Sequence, residues 1–135
     1  MTRALAALLA LTVLAGCGAP SADLFEVTRS GKDANANVTV LVSDDGTVRC
    51  NKKAAVSMGA ERLLTARELE RDLEKQAALG LELPPEKGTI LSYRVRLEPG
   101  TVSFSDRSRG LPKSFSRVMA FTSDVARNVC KVERN

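Results

Sequence analysis

The chain is long enough for one folded domain and too short for two, since it has 135 residues. Its formal charge of +4 at pH 7 is a mild excess, and basic and acidic side chains alternate along the sequence, which argues against a nucleic-acid-binding protein. The sequence has no histidine, and this excludes Ser-His and Cys-His nucleophiles and most zinc and iron sites.

Residues 1–16 have the pattern of an export signal. Arg3 precedes an apolar run over residues 4–15 that only Thr12 interrupts, which is too short for a membrane-spanning helix and typical of a signal-peptide core. The run ends at Leu14-Ala15-Gly16-Cys17, which resembles the lipobox of bacterial lipoproteins. The resemblance implies cleavage after Gly16, acylation of Cys17 by a diacylglycerol with chains such as palmitate, and anchoring on the extracytoplasmic face of the cell membrane. The alternative is an ordinary signal peptide in which Cys17 is incidental.

This interpretation divides the chain into a signal peptide (1–16), a lipid-anchored tether (17–23) and a single domain (24–135). It also explains the odd number of cysteines, because Cys17 takes the lipid and leaves Cys50 and Cys130 as a pair in an oxidising compartment. We expect a disulfide that closes a loop of about eighty residues, and the alternative is two separate buried thiols. Two distant cysteines without histidine predict no metal site.

The first half of the domain is predicted to be β-structure. Residues 24–29 alternate apolar and polar side chains and predict a strand, and a polar connection leads to a β-branched strand over residues 38–42. Asp45-Gly46 is typical of a tight hairpin turn, from which residues 47–51 return as a third strand that carries Cys50.

A first helix is predicted over residues 65–79. Thr65 and Glu68 have the spacing of a capping box at its start, and Gly80 is typical of the residue that follows a helix. One face of this helix is apolar and carries Leu69, Leu73 and Ala77. A proline-rich connection follows.

The second half adds a hairpin and a second helix. Residues 89–97 alternate apolar side chains with Ser92, Arg94 and Arg96, and a turn leads to a strand over residues 101–105. A helix over residues 113–129 has an apolar face and ends before Cys130. The order βββαββα predicts an α+β fold, an antiparallel sheet of about five strands with two amphipathic helices on one face and the two arginines on the other.

The sequence offers little catalytic chemistry. It has no Ser-x-x-Lys, and its one Gly-x-Gly motif, Gly16-Cys17-Gly18, lies at the expected cleavage site, so no phosphate-binding loop is present. Pairs such as Asp44-Asp45, or Glu68 with Glu70, stay open as acid–base partners, although surface acids are the default. We expect no enzymatic activity and no cofactor.

Two short basic segments are candidate binding loops. Lys52 and Lys53 follow the third strand, and Arg107 and Arg109 lie between the hairpin and the last helix. Exposed basic loops recognise an acidic protein partner or anionic lipid head groups, and the alternative is that they are plain solvated loops.

Five short motifs follow one another in a fixed order: Phe25-Glu26-Val27-Thr28-Arg29-Ser30-Gly31, Leu83-Pro84-Pro85, Tyr93-Arg94-Val95, Gly100-Thr101-Val102 and Leu111-Pro112. This order resembles that of the emfourins, small inhibitors of thermolysin-like metalloproteases. The chain departs from the emfourin pattern at Lys32, where a second glycine is usual, and in its cysteine pair and lipid anchor. The resemblance implies the fold more than the activity and assigns no inhibitory residue. The chain also resembles the small lipoproteins of high-GC Gram-positive (actinobacterial) bacteria.

From the residues and these resemblances we expect a lipid-anchored, extracytoplasmic protein of the cell envelope. Its expected role is that of a non-catalytic protein-binding module, with protease inhibition as one form of that role and a metalloprotease as the candidate partner. The alternative is a structural or accessory envelope lipoprotein that binds a membrane or cell-wall partner. Neither role involves nucleic acid.

Overall fold

The computed structural model describes residues 22–132, so the predicted signal peptide, Cys17 and most of the tether lie outside the described residues. Within this range, six strands and two helices follow one another in the order ββββαββα. The strands are β1 (Asp23–Gly31), β2 (Val38–Ser43), β3 (Thr47–Cys50), β4 (Val56–Ser57), β5 (Leu91–Leu97) and β6 (Gly100–Ser105). The helices are α1 (Ala60–Ala78) and α2 (Lys113–Asn128), and a 3-10 turn, Ala34–Ala36, joins β1 to β2.

The strands form one antiparallel sheet with the order β4-β3-β2-β1-β5-β6. The predicted α+β fold is therefore confirmed, with one strand more than expected. The additional strand, β4, has two exposed residues, which is too short for alternation to reveal it in the sequence. β1 is one of the two central strands. It buries Phe25 and Val27 on one face and begins at Asp23, the last residue of the predicted tether.

Both helices pack against the inward side chains of the sheet in one hydrophobic core. The predicted apolar face of α1 is buried, together with Ala66. On α2, Phe115 stacks on Phe104 of β6 with 4.5 Å between ring centroids, and Phe121 meets Phe25 of β1 edge to face at 5.9 Å. The second face of the sheet is left uncovered by the helices, and Arg94 is exposed there as expected.

The start of α1 corrects the capping-box prediction. The helix begins at Ala60, directly after Gly59, and Thr65 lies inside it, where its hydroxyl donates to the Glu61 carbonyl at 3.2 Å. The preceding residue, Met58, is buried and its backbone N–H donates to the Gly46 carbonyl. Because the core and this hydrogen bond position the chain before Ala60, the helix needs no side-chain cap at Thr65.

The predicted end of α1 is confirmed. Gly80 has a positive φ of 63°, its N–H donates to the Ala77 carbonyl, and the Leu81 N–H donates to the Gln76 carbonyl, which together form a Schellman motif. The end of the helix lies directly against β6, since a side chain at Gly100 would collide with the Ala77 carbonyl. Glycine is therefore required at the start of β6.

A disulfide joins Cys50 of β3 to Cys130, two residues after the end of α2. The two Cα atoms are 5.7 Å apart, and the residues are 80 positions apart in sequence. The predicted pairing is confirmed, and it ties the C-terminal helix to β3, two strands away from β1 in the sheet.

Candidate binding surface at one end of the sheet

The four residues of the predicted binding loops lie at the same end of the sheet. Lys52 and Lys53 follow the end of β3, and Arg107 and Arg109 follow the end of β6. Neighbouring strands of an antiparallel sheet run in opposite directions, so one strand ends where the next begins. The same end of the sheet therefore holds the last residues of β1, β3 and β6 and the first residues of β2 and β5, as the registers Val40↔Cys50 and Ser92↔Ser105 show. We call this end of the sheet the basic end, because it carries seven exposed cations: Lys32, Lys52, Lys53, Lys87, Arg107, Arg109 and Lys131.

Few acidic side chains offset this charge. In the described part of the chain, the acids at the same end are Asp33, Glu86 and Asp106. Glu86 pairs with Arg109 at 3.0 Å, and Asp106 accepts the backbone N–H of Ile90 at 3.1 Å. Seven cations against three acids leave this end positively charged.

The opposite end of the sheet, where β1 begins, is acidic. We call it the acidic end; it carries Asp23, Asp44, Asp45 and Glu98 from the strand ends and Glu70 and Glu74 from α1. Partial burial, and then the charges of Asp44, Glu74 and Glu98, raise the pKa of Glu70 above its usual value. Arg67 pairs with Asp44 at 2.7 Å, and the charges of Arg49 and Arg71 act on Asp45 and Glu70, so these three cations offset part of the charge of the six acids. The domain therefore has ends of opposite sign.

Lys52 and Arg107 are not neighbours within the basic end. Four strand spacings separate β3 from β6 in the sheet order, or roughly 19 Å. Between them, beside the end of β1 and the start of β5, lies an open depression of about 650 Å³. One wall is formed by Lys32 and the 3-10 turn, and the other by residues 88–91.

Arg29 fixes the first wall of the depression. It takes the next inward-facing position of β1 after Phe25 and Val27, and it is only 3% exposed. Its guanidinium donates from Nε to the Ala36 carbonyl at 2.8 Å and from Nη2 to the Asn35 carbonyl at 3.3 Å. A buried charge thus holds the 3-10 turn in place. We did not single out Arg29 from the sequence, although continued alternation along β1 marks it as inward-facing.

A cluster of hydroxyl groups fixes the second wall. Ser108 is buried, and its Oγ lies 2.9 Å from the Pro84 carbonyl and accepts the Ser105 N–H at 2.9 Å. Thr89 donates to the Glu86 carbonyl at 2.7 Å and lies 3.0 Å from the Ser105 hydroxyl. The connection between α1 and β5 is therefore anchored at Pro84 and at Thr89. No signal in the single sequence marked these three hydroxyls.

Three of the four carboxylates that stayed open as acid–base partners have structural contacts, and the ion pair of Asp44 is described above. Asp45 accepts hydrogen bonds from the Thr47 hydroxyl at 2.7 Å and the Thr47 N–H at 2.9 Å, which lower the pKa of its carboxyl group. Glu68 is paired with Arg117 of α2 at 2.8 Å. Among residues 22–132, no group of three or more His, Cys, Asp or Glu side chains is placed to hold a metal ion.

Comparisons of the chain with protein-family models, with curated proteins and with solved structures gave no match. The resemblances to lipoproteins and to emfourins therefore stay predictions from short motifs. None of the helices in the described range is long and apolar enough to cross a membrane.

Proposed function

We propose that this protein is a lipid-anchored, extracytoplasmic protein-binding module without catalytic activity, whose basic end contacts an acidic surface of a partner protein. The observation that carries the proposal is the position of the predicted binding loops. Lys52, Lys53, Arg107 and Arg109 all lie at the sheet end opposite the start of β1, where the tether enters the domain.

Chain lengths support this orientation. From Cys17 to Asp23 the chain reaches at most about 20 Å, and β1 then runs for about 26 Å to the basic end. An acylated Cys17 keeps the acidic end nearest the lipid and the basic end furthest from it. Anionic lipid head groups attract basic segments only at short range, and the basic loops are the part of the domain furthest from the anchor, so a protein partner is favoured over the anchoring bilayer.

Metabolic labelling tests the anchor. When the full chain is expressed in a bacterial host with an alkyne analogue of palmitate, the protein should carry the label and fractionate with membranes. The Cys17→Ser variant should lose both properties. A variant that keeps the label or the membrane fraction contradicts the anchor.

Site-specific photo-crosslinking in the same cells tests the binding end. A photoreactive amino acid at position 53 or 107 should give adducts with a protein, and one at position 45 or 98 of the acidic end serves as the matched control. All four positions are exposed. Equal protein adducts from both ends contradict the proposal. Lipid adducts from positions 53 and 107, with salt-sensitive binding of the Cys17→Ser form to anionic vesicles, favour the accessory lipoprotein that binds head groups.

Protease inhibition is the specific form of this role that the emfourin-like order of motifs supports. The mature domain at micromolar concentration should slow cleavage by at least one member of a panel of thermolysin-like proteases. Unchanged cleavage across the panel removes the inhibitor form and leaves the binding module.

A further inference from the structure

The depression at the basic end combines positive charge with exposed apolar surface. Ile90 stands at its rim with 60% of its surface exposed. The other exposed large apolar side chains of the described residues lie elsewhere, Val56 beside β3 near Gly46 and both Leu64 and Leu79 on or directly after α1. An isolated exposed apolar side chain is ordinary, but this one borders a depression.

Cations and acids both border the depression, with the cations in excess. Lys32 lines it and is exposed, and Arg29 lies beneath it. Asp33 is the one acid among the described residues of its lining, and Asp106 accepts the Ile90 N–H at its rim. Lys87 adjoins the lining residue Gly88. A carboxylate on an occupant therefore meets cations, and an apolar side chain beside that carboxylate meets Ile90 and the half-buried Leu91.

The walls of the depression are held in advance of binding. Arg29 fixes the 3-10 turn on one side, and the Ser105, Ser108 and Thr89 hydroxyls fix the connection on the other. A site with walls that are already ordered loses less conformational entropy when it binds a ligand. Its volume of about 650 Å³ suits two or three side chains of an extended peptide.

We propose that this depression binds an extended, acidic segment of the partner protein in which a carboxylate stands next to an apolar side chain. This inference deepens the proposed function and rests on it, since it assigns the contact to one place on the basic end. Lys32 receives the carboxylate, and Ile90 covers the apolar side chain.

Fluorescence polarisation with defined peptides tests the inference on the mature, acylated protein in nanodiscs. The probe is a fluorescein-labelled hexapeptide of alternating leucine and glutamate. Two matched probes serve as controls. One has glutamine in place of every glutamate, and the other has serine in place of every leucine. We expect each replacement to weaken binding at least tenfold. Equal binding of all three probes overturns the inference, and so does binding that depends on glutamate alone, which indicates non-specific attraction.

Paired variants locate the binding. Ile90→Ser and Lys32→Glu should each weaken binding of the leucine–glutamate peptide at least fivefold. The controls are Leu64→Ser, which changes a side chain that is also 60% exposed, and Lys75→Glu, which changes an exposed lysine on α1. Thermal melting confirms that all four variants fold. A similar loss in the controls, or none at positions 90 and 32, overturns the inference.

The two proposals fail separately. If crosslinks from position 53 capture a protein but the peptide does not bind, the assignment to the depression is wrong and the binding module stands. If the peptide binds but neither position 53 nor position 107 crosslinks to a protein, the proposed function is wrong and the depression remains a peptide site. If dimers of the chain form at low salt and compete with the peptide, the occupant is the acidic end of a second copy, which contradicts the assignment to a partner protein.

Discussion

Arg62 of α1 holds the carboxylate of Asp124 of α2 with two hydrogen bonds. Nε lies 2.6 Å from Oδ2, and Nη2 lies 3.2 Å from Oδ1. A third hydrogen bond from Arg62, to the Met58 carbonyl at 3.1 Å, joins this pair to the segment that leads into α1. The start of α1 is therefore fixed by its contact with α2 rather than by a capping side chain.

Loss of this pair should destabilise the domain in a pH-dependent way. The hydrogen bond from Arg62 lowers the pKa of Asp124 below its usual value of 3.8, so the stabilisation is present above that value and is lost as the pH falls through the lower, folded-state pKa. Since the side chains are 33% and 41% exposed, we expect Asp124→Asn to lower the free energy of unfolding at pH 7 by about 0.5–1 kcal/mol. Urea unfolding measures this difference.

The difference in the free energy of unfolding between wild type and Asp124→Asn should shrink toward zero as the pH falls below 3.8. The control is Asp33→Asn, because Asp33 is exposed and makes no side-chain hydrogen bond to the 3-10 turn. A pH-independent loss for Asp124→Asn contradicts the assigned role of the ion pair.

Glu70→Gln should stabilise the domain at neutral pH. Burial and nearby acids raise the pKa of Glu70, so its ionisation costs stability at pH values above its unfolded-state pKa, and this cost disappears when the carboxyl group is protonated. We expect a gain of roughly 0.5 kcal/mol at pH 7 that vanishes below about pH 4. Unfolding curves at both pH values, with exposed Glu82→Gln as the control, measure it. Lower stability of Glu70→Gln at pH 7 contradicts this account.

Removal of the disulfide should lower the free energy of unfolding far more than loss of the Arg62–Asp124 pair. A cross-link between residues 80 positions apart restricts the unfolded chain by about 4.5 kcal/mol in the chain-entropy model. The Cys50→Ala, Cys130→Ala double variant should lose about this much stability and should no longer respond to reductant in guanidinium unfolding. Intact-mass analysis of the alkylated, non-reduced protein should show no free thiol at these positions, and two alkylated thiols there refute the bridge.

Replacement of Arg29 should loosen the first wall of the depression. Arg29→Met leaves the Ala36 and Asn35 carbonyls without their donor, and we expect a loss of about 2 kcal/mol. Faster hydrogen exchange should accompany it at Gly31, whose N–H donates to Asn37 at the end of the same turn. The exposed Arg94→Met is the control and should change stability by less than about 0.5 kcal/mol. If both variants behave alike, Arg29 does not hold the turn.

The elements that the sequence predicts well are those with several turns or alternations. The apolar face of α1 and the alternation of β5 extend over enough residues to identify both elements. Prediction failed where tertiary contacts decide the structure. The buried Met58 and the Arg62–Asp124 pair extend α1 to Ala60, and no local pattern in the sequence records either contact.

The binding surface was predictable in its residues and not in its arrangement. The basic loops stood out as local runs of charge, but their common position depends on the order of strands in the sheet. The depression depends on Arg29 and on three hydroxyl groups that approach one another only in the fold. The sequence signal for such a site is a charged residue, such as Arg29, at a strand position where alternation predicts a buried apolar side chain.

The central place of β1 has a mechanical consequence. Its residues pair with β2 on one side and with β5 on the other over most of its length. A pull through the chain before Asp23 acts along this strand and loads both ladders in shear at once, instead of opening an edge strand one hydrogen bond at a time. The first strand of the domain therefore resists such a pull better than an edge strand would.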